Sequence, residues 1–139
     1  MTWVGWALLS AVFAGATAIL AKIGITGVDS NLATAIRTTV IVAFTWAIAA
    51  GTGALGGTTH ISGRSWLFLV FSGIATGLSW LCYFRALSMG NASSVAPVDK
   101  LSVVFVIVFA AVFLGERITA IKAFGGLLIA AGALVLALA

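Results

Sequence analysis

The chain has few of the residues that let a protein meet water. Only 7% of its 139 residues are charged, and just three side chains are acidic: Asp29, Asp99 and Glu116. A soluble domain carries about 25% charged residues, so composition alone places the chain in the membrane class. Cys82 is the one cysteine; it allows no internal disulfide and reads as a packed thiol in an apolar run. His60 is the one histidine, in a glycine-rich loop with no ligand-type neighbours; it reads as solvated, and no metal site is expected. No catalytic dyad or metal-ligand cluster occurs, so neither an enzyme nor a cofactor is expected. The seven Lys and Arg residues are scattered at the edges of apolar runs rather than gathered on one face, which argues against a nucleic-acid partner.

What the chain does have is apolar length. It is 63% hydrophobic with a mean hydropathy of +1.26. Five runs stand out, at 3–24, 32–50, 65–87, 95–114 and 120–139. About 20 residues of helix rise ~30 Å, the thickness of a bilayer's hydrocarbon core. The expectation is an all-α integral membrane protein: one domain over residues 1–139, with five transmembrane helices. The stretch AVFAGATA in the first run has the small-residue spacing of a cleavage site. No basic residue precedes it and the run stays apolar through Ile23, so a retained span is expected. Between the runs lie a turn ending in Ser30, which is a possible helix cap, and the loop 51–64, which five glycines mark as flexible. Ser93 or Ser94 can cap the fourth helix, with Pro97 in its first turn, and Thr119 can cap the fifth.

The polar residues inside the spans are the candidates for function. Arg37 lies well inside span two, on nearly the same face as Thr34, Thr38 and Thr45. A charge deep in a bilayer costs on the order of 3 kcal/mol on insertion scales, so that face is expected to turn toward the bundle or water. Arg37 is either a substrate or coupling-ion contact, or a snorkelling or ion-paired structural residue. Span three carries Ser72, Thr76, Ser79 and Tyr83 as a stripe bordered by Trp80, suited to a cavity wall or to plain helix packing. Lys22, Asp99 and Lys100 are further cavity candidates, with headgroup contact as the other reading of the lysines. Arg85 falls on the opposite face and is expected to snorkel. Asp99 is expected to pair with Arg37, leaving surplus basic charge that leans toward anionic or zwitterionic substrates. Span five presents Gly125, Gly126, Ala130 and Ala133 as a surface for a tight dimer contact.

Five spans put the termini on opposite sides of the membrane. Arg64, Arg117 and Lys122 then fall on one side, and Lys22, Arg37, Arg85 and Lys100 on the other. Basic residues so evenly divided give little orientation signal. Dual topology and an antiparallel homodimer are expected, forming a ten-helix inverted-repeat bundle.

Several segments carry a family resemblance. Arg85-Ala86-Leu87, Ala92-Ser93, Val95-Ala96-Pro97, Leu114-Gly115-Glu116-Arg117, Gly125 and Gly132 resemble the EamA-like domain of the drug/metabolite transporter superfamily. Asp29-Ser30-Asn31, Ala35-Ile36-Arg37-Thr38, the run from Leu78 to Arg85 and the run from Pro97 to Ser102 are similar to its short, five-span bacterial and archaeal members. The resemblance implies a prokaryotic inner- or plasma-membrane transporter of small metabolites or drug-like solutes. It also implies a central cavity built from two five-span copies that alternate access. Typical members fuse two copies; this chain carries one, so dimerisation or a partner is expected. The related four-span multidrug exporters bind cations and protons with a first-helix carboxylate, which span one lacks. The rival reading is a non-transporting membrane subunit that assembles with a larger partner.

Overall fold

The structure, a computed structural model, describes residues 2–138. In chain order it contains α1 (Trp3–Gly24), α2 (Ser30–Gly51), a 3-10 helix (Ala54–His60), α3 (Gly63–Met89), α4 (Ala92–Asp99), α5 (Ser102–Leu114) and α6 (Ala120–Leu138). No strand occurs among the described residues. Five segments are long and apolar enough to cross a membrane: α1, α2, α3, α4 together with α5 (Ala92–Leu114), and α6. These match the expected runs within a few residues, except that residue 139 lies outside the described residues.

The helix ends follow from local chemistry. Asp29, not Ser30, caps α2: its Oδ1 accepts from the amides of Asn31 at 2.9 Å and Leu32 at 3.1 Å. Such a cap contributes about 1 kcal/mol. Ser30 instead begins the helix and is buried, its carbonyl accepting from the Thr34 hydroxyl at 2.8 Å. Asn91, rather than Ser93 or Ser94, precedes α4, with no side-chain cap bond. Thr119 caps α6 as expected, its Oγ1 accepting from the Lys122 amide at 3.3 Å. Gly115 ends α5 in the left-handed region, φ 68°, and the Glu116 amide reaches back to the Ala110 carbonyl at 3.1 Å. A glycine there avoids the Cβ clash that such a φ imposes. The loop expected to be flexible folds largely into the 3-10 helix.

The fourth span departs most from expectation. Because α4 starts at Ala92, Pro97 falls inside the helix rather than in its first turn. Proline has no amide to give the carbonyl four residues back, which weakens the ladder. Beyond it the bonds shorten to a three-residue reach, Lys100 N to Pro97 O and Leu101 N to Val98 O, both 3.0 Å. Lys100 and Leu101 are a turn, so one apolar span is carried by two helices.

The chain divides into two compact units: Gly24–Ser88, and the segments before and after it. In Gly24–Ser88 the buried residues are Ile25, Ser30 and Thr34 near the start of α2, and Phe84 and Leu87 near the end of α3. In the other unit α6 packs on both α4 and α5. Gly126 and Ala133 are its buried positions. A Cβ on Gly126 would lie 3.1 Å from Ile107 Cδ1 of α5. Part of the small-residue face expected at a dimer contact is therefore occupied within the chain. Large apolar side chains remain open elsewhere, including Ile121 of α6 and the Phe105, Phe109 and Phe113 ladder of α5, with neighbouring rings 6.2 and 6.0 Å apart. In water such a surface would be aggregation-prone; against lipid tails it is the natural outer face.

Candidate functional site

Within Gly24–Ser88 the structure joins two of the residues singled out from sequence. Arg37 is the eighth residue of α2, about 10 Å along the helix axis from Ser30. Its Cζ lies 4.2 Å from the centroid of the Trp80 ring and 5.6 Å from that of Phe84, both on α3. The backbones of α2 and α3 scarcely approach within 8 Å, so a long side chain makes this contact. A cation over an aromatic face is worth about 0.5–2 kcal/mol, the more so when desolvated. Trp80 and Arg37 are half-buried and Phe84 is buried. Tyr83 extends the aromatic group, its ring edge-on to Phe84 at 6.4 Å between centroids.

Phe84 was not among the residues picked out from sequence. It reads there as one more apolar residue. The available signal was its spacing, four residues after Trp80 and so on the same face of α3.

The hydroxyls on these helices turn inward on their own backbones. Thr34 donates to Ser30 O and Thr38 to Thr34 O, each at 2.8 Å, Thr45 to Ile41 O at 2.8 Å, and Thr76 to Ser72 O at 2.9 Å. This is the usual way a hydroxyl is satisfied in a helix. It leaves these groups able to accept a hydrogen bond from a ligand but not to donate one. Thr76 and Ser79 are exposed.

The remaining candidates belong to the other unit. Lys22 Nζ donates to the Gly90 carbonyl at 2.8 Å, tying α1 to the turn before α4. Lys100 Nζ lies 3.3 Å from Asp99 Oδ2 at the break between α4 and α5. Arg37 and Asp99, expected as a pair, belong to different units. Beside the break, a largely apolar groove of about 420 Å3 runs between α4 and α6, past Ala96, Pro97, Lys100, Ile129 and Gly132. Among the described residues no group of His, Cys, Asp and Glu could hold a metal ion.

Five apolar segments, polar side chains held against helices, and an open apolar surface define a multi-pass membrane protein. Residues 1–138 match the EamA-like transporter family, and the chain belongs to it. A Sinorhizobium protein named "Uncharacterized transporter in cobO 3'region" is 53% identical over 136 residues, 98% of this chain and 96% of that protein. No solved structure gives a significant match. Family and relative together support a membrane transporter.

Proposed function

We propose that the protein is a secondary transporter of small solutes that works by alternating access as an antiparallel homodimer in a prokaryotic inner or plasma membrane. The observation that carries the reading is Arg37, kept charged inside an apolar span and held by Trp80 and Phe84 rather than by a carboxylate. A membrane helix keeps a residue that costs this much where it meets a ligand, an ion or water. Trp80, Tyr83, Thr76, Ser79 and Arg37 are the proposed substrate contacts of the Gly24–Ser88 unit. Lys22, Asp99 and Lys100 are proposed as solute contacts of the other unit, Lys100 at a helix break of the kind that transporters use near their substrate sites.

The even division of basic residues supports the opposed pairing. Two inverted copies would supply the repeat symmetry that alternating access uses. The test is flux into liposomes reconstituted with the purified protein alone, using a mixture of labelled metabolites. Saturable uptake above protein-free liposomes is the expected result. Its absence, with uptake restored by a co-expressed membrane protein, would favour the subunit reading. Labelling of a terminal tag in cells tests the pairing: both sides should label in similar amounts, and one-sided labelling would refute it.

A further inference from the structure

We propose that Arg37, Trp80 and Phe84 form a binding site for a solute that carries one carboxylate on an apolar or aromatic body. That this solute is cargo rests on the transporter reading. Negative charge is scarce in this chain. The chain has three acidic side chains, and each is engaged elsewhere. Asp29 caps α2. Asp99 lies on Lys100 and Glu116 on Lys122, each pair at 3.3 Å. Among the described residues Arg37 has no ion pair; it lies over the rings of Trp80 and Phe84 and interacts electrostatically with Tyr83. A ring face attracts the cation but offers no lone pair, so the guanidinium's N–H donors remain unspent. An anion from outside the chain is the natural complement.

The surroundings select among anions. A carboxylate matches one guanidinium fork with two parallel hydrogen bonds. A phosphate monoester brings further oxygens and more charge, and needs further donors. The nearby threonines cannot supply them, because Thr34 and Thr38 spend their protons on Ser30 O and Thr34 O. The indole of Trp80 and the ring of Phe84, with Tyr83 edge-on to it, offer apolar surface to the rest of the ligand. A simple organic cation would meet like charge here.

Equilibrium dialysis of the full chain in phosphatidylcholine nanodiscs tests the site, with labelled benzoate and indole-3-acetate as probes. Saturable binding of at least one is expected, displaced by the other and by neither inorganic phosphate nor benzylammonium. Arg37→Gln should weaken binding about tenfold or more, the loss of a charge-assisted pair. Arg37→Lys keeps the charge but not the fork, and should bind several-fold more weakly than the parent even if the glutamine variant fails to fold. Arg64→Gln removes a comparable guanidinium, 5.8 Å from the Phe68 ring, and should leave binding unchanged. The proposal is overturned if neither probe binds saturably, if Arg37→Lys binds as well as the parent, or if phosphate displaces the probes equally well. It is also overturned if nanodiscs containing phosphatidylserine abolish binding, which would give the site to a lipid headgroup. Binding without flux in liposomes would refute the transporter reading and leave the site standing. Flux of other solutes without carboxylate binding would do the reverse.

Discussion

Replacing Gly126 tests how α5 and α6 are held together. A Cβ at this position would sit 3.1 Å from Ile107 Cδ1, against about 3.5–4.0 Å for a comfortable carbon contact. Alanine therefore requires Ile107 to withdraw by some tenths of an ångström, which the end of a half-buried side chain can partly do. In water, Gly→Ala in a helix would gain about 1 kcal/mol from propensity. In a bilayer much of that gain disappears, because a dissociated membrane helix remains a helix. The contact then decides the sign, and Gly126→Ala should destabilise by roughly 0.5–1 kcal/mol. Gly126→Leu adds three more carbons to an occupied space and should cost about 1–3 kcal/mol, the range for overpacking. Ile107→Ala opens that space, so the double variant Gly126→Leu/Ile107→Ala should recover much of the loss. The assay is unfolding of the micelle-solubilised protein by added dodecyl sulfate, followed by tryptophan fluorescence. The four variants form a cycle whose coupling energy is the readout. If Gly126→Leu unfolds like the parent and only the dimer is weakened, the helix pairing is misassigned and this face belongs to a second copy. A coupling energy near zero would refute the contact with Ile107 itself.

Gly115→Ala should cost about 1 kcal/mol in the same titration, because φ 68° disfavours a side chain; no loss would mean that α5 does not end in a left-handed turn. Asp29→Ala should cost a similar amount through its two capping bonds, with Asp29→Asn largely restoring it. Trp80→Ala should weaken solute binding while leaving Gly126-dependent stability unchanged; unchanged binding would remove Trp80 from the site. Pro97→Ala restores an amide that can reach the carbonyl of Ser93. It should raise protection of amides 97–101 against hydrogen exchange, and unchanged exchange would separate the helix break from the proline.

The five spans were legible because length and hydropathy are local properties: each apolar run is bounded by glycine, charge or a turn. The break at Lys100 and Leu101 was not, since Pro97 could equally begin a helix, and only the start at Ala92 makes it interior. Arg37 stood out because a charge in an apolar run has a known cost. Its contact with Trp80 and Phe84 did not, because contact between two helices leaves no spacing rule in either one. Trp80 was picked out for the hydroxyl stripe it borders, whereas its contact in the structure is with a guanidinium. Likewise, small residues at helical spacing announce that some helix comes close, without saying which. For Gly126 the neighbour is α5 of the same chain.

The same distinction bears on where a partner copy can bind. The α6 face at Gly126 and Ala133 is buried, and a second protomer cannot use Gly126 without displacing Ile107. The exposed positions of α6 mix large residues, among them Leu127, Leu134 and Leu138, with the small Ala131 and Gly132, and the exposed ladder of α5 is aromatic. Close backbone approach between copies is therefore not available at Gly126, and a dimer formed through the α5 ladder would have to interdigitate bulky side chains. Such an interface relies on shape rather than on small-residue contact. It would tolerate Leu→Met at its edges, and should be most sensitive where a phenylalanine of the ladder is cut back to alanine.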